Sequence, residues 1–191
     1  RRGGRLFFVG AGTSGRLGIL EAAECPPTFH TPPSMVQAII AGGPQAVFRS
    51  REGAEDDRRA ARTAIRARVR AGDVVVGIAA SGVTPFVSAA LAAARRQATT
   101  VLVTCNPRAR ASAAVRIVLE TGPEVLTGST RLKAGTATKL VLNMLTLGAM
   151  VQLGKTHGHL MVDVRPTSRK LRARAMTLIQ LIARCDARTA T

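Results

Sequence analysis

Tryptophan and tyrosine are absent from this chain of 191 residues, and five phenylalanines hold its aromatic content to 3%. Base recognition on single strands needs aromatic faces to stack on, so a nucleic-acid reader is disfavoured. Acidic residues are also scarce, 11 against 28 basic ones, for a formal charge of +17. Such an excess attracts polyanions at low salt. It gathers, however, at residues 58–70 and 165–174 with the spacing of solvated helix faces, and arginine outnumbers lysine 24 to 4. That pattern reads as compositional bias, and no specific nucleic-acid partner is expected. Cysteine is limited to Cys25, Cys105 and Cys185, an odd and scattered set that suits a reducing cytoplasm better than a disulfide framework or a metal cluster. His30, His157 and His159 lack metal-ligand spacing and do not point to a metal site. Long apolar runs are missing too. The longest apolar helix candidate, residues 140–153, is expected to be too short for a bilayer and holds Asn143 and Gln152. No signal-peptide pattern precedes the first strand, so no membrane association is expected.

What the chain has is a repeated theme. Leu6-Phe7-Phe8-Val9 has the length and branching of a buried strand, and Gly10, Gly12 and Gly15 follow with the spacing G-x-G-x-x-G. Glycines there let bare N–H groups approach an anion at the start of the next helix. A dinucleotide unit would also place an acidic residue after its second strand. The second strand candidate, residues 35–40, runs instead into Ala41-Gly42-Gly43, and Thr13 and Ser14 put hydroxyls inside the turn. A phosphorylated small molecule fits better than a nicotinamide cofactor, with an empty strand-to-helix turn as the plain alternative. Further strands are expected at 73–79, 100–104 and 115–119. A helix is expected to follow the turn and end on Glu24 before Pro26 and Pro27, and others over about 56–70, 85–96, 131–153 and 168–184. Strands alternating with helices predict an α/β three-layer sandwich, a five-stranded and mainly parallel sheet with helices on both faces, as one domain over 1–191. Ligands of such sheets sit beyond the carboxyl ends of the strands.

Three turns offer hydroxyls at those ends: Thr13 and Ser14, Ser81 and Thr84 around Gly82, and Ser129 and Thr130. Together they can hold a sugar phosphate; singly, each can simply cap a helix. Ser129 or Thr130 is expected to cap the long helix. Lys133, in its first turn, works against the helix dipole and is better placed for an anion. Two carboxylates stand out. Glu24, at the expected C-terminal end of the first helix, faces exposed carbonyls that disfavour its charge, which poises it as an acid. Glu55, near an N-terminus, has its charge favoured, which poises it as a base. Equally, Glu55, Asp56 and Asp57 can serve only to cap and charge-match a helix start.

Over nearly the whole length, the blocks GAGTSGRLGILEAAECPPTF, EGAEDD, DVVVGIAASGVTP, CNP, GPEVLTGSTRLKAGTATKLVLNML and LMVDVR closely resemble the N-acetylmuramic acid 6-phosphate etherases of the sugar isomerase (SIS) superfamily. The glucokinase regulatory proteins look like distant relatives. The resemblance implies elimination of D-lactate from N-acetylmuramic acid 6-phosphate followed by hydration, without metal or cofactor, in cytoplasmic amino-sugar recycling. It implies Glu24 as general acid, Glu55 as the second active-site carboxylate, and a sugar-phosphate pocket at Thr13, Ser14, Ser81, Gly82, Thr84, Ser129, Thr130 and Lys133. It also implies a homodimer that shares its sites. Three departures bear on turnover: Val83 stands where the family carries a cation, His159 where it carries Asn, and Pro166-Thr167-Ser168 where it reads A-T-N. Relative to the family, the chain is expected to lack N-terminal helices and a C-terminal helical region. A noncatalytic sugar-phosphate sensor is the alternative function.

Overall fold

The computed structural model describes residues 3–164 and 166–189. Five strands, β1 (Leu6–Gly10), β2 (Val36–Ile40), β3 (Val74–Ile78), β4 (Thr99–Thr104) and β5 (Val115–Val118), form one sheet in the order β2-β1-β3-β4-β5. Every neighbouring pair is parallel; helices make the crossovers up to β4, and a loop over 105–114 makes the last one.

Alternate side chains serve opposite faces. Phe7, Val9, Val75 and Leu102 pack against α2 (Arg58–Arg68) and α3 (Pro85–Ala94) through Ile65, Phe86, Val87 and Leu91. Phe8, Val76, Ile78, Val101 and Val103 pack on the other face against α1 (Gly12–Phe29) and α4 (Lys133–Gln152) through Cys25, Phe29, Leu142 and Met150. A last helix, α5 (Arg169–Ala183), is capped by the Ser168 hydroxyl and contributes no buried residue. Edge strand β2 is covered by Arg68, whose Nη2 donates to Gln37 at 2.8 Å, which blunts pairing with another strand.

Three expectations are corrected. First, α1 does not stop at Glu24. It continues through Pro26 and Pro27 to Phe29 and ends at His30 in the left-handed conformation, φ 50°. Cys25 and Phe29, 1% and 8% exposed, anchor this last stretch in the core, and that burial outweighs the N–H groups the prolines lack. Second, α2 starts later than expected. Asp57 caps it by accepting from the Ala60 N–H at 2.8 Å, and Glu55 lies in a separate 3₁₀ turn, Ala54–Asp56. Third, α4 has 20 residues and is long and apolar enough by length and composition to cross a membrane. Its inner face nevertheless buries Ala134, Gly135, Thr138, Leu142, Thr146 and Met150 inside the sandwich, so it serves here as a packed helix of that layer.

At the end of the sheet opposite the strand carboxyl termini, Asp73 is buried. It accepts from the Arg5 guanidinium at 2.7 and 3.2 Å and from the N–H groups of Arg5 and Arg70. Burial alone would raise its pKa, but the Arg5 hydrogen bond and the two backbone donors outweigh it and hold the carboxyl below its ordinary value.

Candidate functional site

The strand carboxyl ends gather the starts of α1, α3 and α4. Ala11 precedes α1 with no side-chain cap, so the first N–H groups of that helix have no internal acceptor. Gly10 and Gly15 let the turn close: a Cβ on Gly10 would lie 2.6 Å from the Gly15 nitrogen, and one on Gly15 would lie 2.8 Å from the Gly10 oxygen. Thr84 precedes α3 without a side-chain cap bond, and Pro85 opens the helix. Gly82 has φ +72°, and a Cβ there would strike Ala109 at 2.2 Å. The Ser81 carbonyl accepts from Asn106 at 2.8 Å, tying this turn to the β4–β5 loop.

At α4 the cap differs from expectation. Neither Ser129 nor Thr130 fills that role. Instead the Glu124 carboxylate accepts from the N–H groups of Lys133 at 2.9 Å and Ala134 at 3.0 Å. A capping rule that looks one to three residues upstream misses a partner nine positions away. A Cβ on Gly135 would lie 3.7 Å from the Thr13 methyl, so α1 and α4 start side by side. Thr130 and Glu124 share a cavity of ≈ 300 Å³ with Ala80, Cys105, Thr121 and Gly128. Burial raises the pKa of the Cys105 thiol there. The Lys133 ammonium reaches over this loop, 4.0 Å from a Cβ placed on Gly122.

Glu55 is exposed and lines a cavity of ≈ 130 Å³ with Ala11, Gly12 and Arg16. The Arg16 guanidinium braces this wall by donating to the carbonyls of Val47 and Ala46 at 2.7 and 2.8 Å. Glu55 therefore stands beside the open start of α1. Glu24 does not. It is exposed twelve residues further along the same helix, ~18 Å from Gly12 at the usual rise. The fold thus brings the hydroxyl turns, Lys133 and Glu55 to one end of a single chain and leaves Glu24 on a separate face.

That face lies along the seam of α1 and α4. The sequence reading passed over Glu21, which is 7% exposed and whose carboxylate accepts from Asn143 Nδ2 at 2.5 Å and from the Thr146 hydroxyl. Its signal was present: Glu21 falls in the register of Gly18, Cys25 and Phe29, where an apolar residue belongs. Burial, with the charges of Glu21 and Glu24 adding to it, pushes the Cys25 thiol up to about 12, so it is a packing group and not a nucleophile. Beyond the prolines, the Lys155 hydrogen bond at 2.5 Å holds Asp163 below its ordinary pKa, and His30 faces the same carboxylate at 3.5 Å. Among the described residues, no three His, Cys, Asp or Glu side chains come together as a metal-ligand set.

Residues 1–95 match the family model of the glucokinase regulatory protein N-terminal SIS domain. The chain is 59% identical over 182 residues to an N-acetylmuramic acid 6-phosphate etherase of Symbiobacterium thermophilum, covering 94% of this chain and 61% of the relative. It is 60% identical over 184 residues to one of Gloeothece citriformis, covering 94% and 60%, and 57% identical over 188 residues to one of Cutibacterium acnes, covering 96% and 62%. The chain therefore spans 60–62% of the length of these relatives. In fold it is similar to an Escherichia coli protein solved as a complex with a ligand, at TM-score 0.59 and 18% identity over 80% of this chain and 72% of that one. It is also similar to the C-terminal domain of a glucosamine-fructose-6-phosphate aminotransferase of Francisella tularensis, at TM-score 0.57 and 18% identity over 94% and 44%. The sandwich is thus similar in fold to these proteins, its first half matches a SIS-domain model, and by sequence the chain is similar to N-acetylmuramic acid 6-phosphate etherases over 60–62% of their length.

Proposed function

We propose that the chain forms the core of a carbon–oxygen lyase that cleaves the D-lactyl ether of N-acetylmuramic acid 6-phosphate, giving N-acetylglucosamine 6-phosphate and D-lactate in the recycling of cell-wall amino sugars. The observation that carries this reading is the identity of 57–60% to relatives of that name across nearly all of the chain. The three free thiols suit a cytoplasmic setting.

In the proposed reaction the α1 and α3 starts and the hydroxyls of Thr13, Ser14, Ser81, Thr84, Ser129 and Thr130 hold the phosphorylated sugar, with Gly82 keeping its turn tight and Lys133 adding positive charge. In the ring-opened sugar the carbonyl at carbon 1 acidifies the proton at carbon 2, which Glu55 removes. The bond from carbon 3 to the ether oxygen breaks as Glu24 protonates that oxygen, a double bond forms between carbons 2 and 3, and D-lactate leaves. Water then adds its hydroxyl at carbon 3 and a proton returns to carbon 2, so one water is consumed overall.

A separation of ~18 Å along α1 is too long for one hexose phosphate to bridge. The reading therefore requires a homodimer in which Glu24 of one protomer faces the hydroxyl turns of the other. Leu140, Met144, Leu147 and Val151 make a stripe of that kind on α4, 48–66% exposed, with Leu20 at 46% on α1. One observation favours the sensor alternative: Val83, 68% exposed in the Ser81 turn, offers no charge to the ligand.

The test is D-lactate release from N-acetylmuramic acid 6-phosphate. Release by the parent, reduced about 10²–10⁴-fold in Glu24→Gln and in Glu55→Gln, supports the etherase. Sugar phosphate that raises the melting temperature without lactate release supports the sensor.

A further inference from the structure

Glu21 is a buried carboxylate that the proposed reaction does not use. Both of its partners come from α4, and one of them, Asn143, is itself exposed. Only the amide nitrogen of Asn143 can donate to a carboxylate, so this bond fixes which way the carboxamide points. Its oxygen and its second N–H are left without a protein partner among the described residues. Glu24 stands three residues after Glu21, on the neighbouring turn of the same helix face. Asn143 and Glu24 are thus polar groups on the helix pair that exposes Leu20, Leu140 and Met144, with Lys139 exposed one turn before Asn143.

We propose that Asn143 recognises the acetamido group of the substrate and that Glu21 is the positioning residue that sets its amide. This inference rests on the etherase reading for the identity of the sugar. The acetamido group sits on carbon 2, next to the carbon whose ether oxygen Glu24 protonates, so a residue beside Glu24 is in reach of it. Its chemistry also fits. The carboxamide presents one acceptor and one donor, complementary to the N–H and C=O of a secondary amide. The lactyl carboxylate, the other group near the ether oxygen, only accepts and can therefore use just the donor. A site that hydrogen-bonds a polar substituent rejects the analogue lacking it, because its own polar groups are then left unpaired.

The test needs no turnover. Calorimetric binding of N-acetylglucosamine 6-phosphate and of glucose 6-phosphate to the full chain reads the preference directly. The parent is expected to favour the acetamido sugar at least about 10-fold. Asn143→Ala is expected to shrink that preference to within about twofold by weakening only the acetamido sugar. Asn143→Ser takes its place if the alanine variant does not fold. Glu21→Gln, which keeps the shape but frees the amide to rotate, is expected to fall between the two. A parent that does not bind the acetamido sugar more tightly, an Asn143 variant that keeps the preference, or one that weakens both sugars equally overturns the assignment. A Glu21→Gln protein with the parent's preference removes the positioning role. Lactate release separates the two claims: a parent that releases lactate while Asn143 variants keep the preference leaves the etherase standing without this inference, and a parent that releases none while those variants lose the preference does the reverse.

Discussion

The two helix layers around the sheet are packed alike on the inside and differ on the outside. The α2–α3 layer turns Arg58, Arg59, Arg62 and Arg66 to water, a face that solvent can cover. The α1–α4 layer turns out Leu140, Met144, Leu147 and Val151, which water covers poorly. The same sandwich therefore carries one charged surface and one with an exposed apolar stripe, and Glu24 lies on the second layer. Its distance from the hydroxyl turns of its own chain then becomes informative: the candidate acid lies on the exposed apolar face, and the hydroxyl turns lie at the strand ends.

The largest expected effect follows from charging the apolar face. Met144→Arg should convert the proposed dimer to monomers by sedimentation and remove lactate release, whereas Arg62→Glu on the solvated layer should leave both unchanged. A monomeric parent would break the comparison at once. Next comes Asp73→Asn at the far end of the sheet, expected to lose about 2–3 kcal/mol in chemical denaturation from its charged hydrogen bonds. The sign of its pH dependence is set by the lowered pKa of Asp73. The stabilisation is complete above the unfolded carboxyl value of about 3.9 and is lost as pH falls through the lower folded value, so the parent and variant curves should converge in acid. The smallest effect is expected for Glu124→Ala, about 1 kcal/mol from the lost cap of α4, read as a lowered melting temperature.

Much of the sheet was legible because buried parallel strands leave short apolar runs between glycine-rich turns. Each of the five lies within two residues of its expected bounds. Helix ends were harder, since they depend on partners outside the local window. Pro26 and Pro27 signal a stop, yet the burial of Cys25 and Phe29 carries α1 past them. Glu124 caps α4 from nine residues away. At the candidate site, hydroxyls beside glycine marked turns at the carboxyl ends of the strands, and Glu55 lies beside the first of them. Glu21 and Asn143 were missed because a polar residue in a buried helix register flags an oddity without naming its partner. Their meaning arises only where α1 and α4 meet. The separation of Glu24 from Glu55 was hidden because each was judged by its nearest helix terminus, while the length of α1 before Glu24 was left out of account.

The most direct test of a site shared between two copies is complementation. Glu24→Ala and Glu55→Ala proteins, each inactive alone, are mixed, dissociated and reassociated, and lactate release is measured. In a symmetric dimer that pairs Glu24 of one protomer with Glu55 of the other, half of the mixture is mixed dimer and each carries one intact site, so about a quarter of parental activity should return. A mixture that stays inactive while forming mixed dimers would contradict the account, because it would mean that both carboxylates serve the site of a single chain.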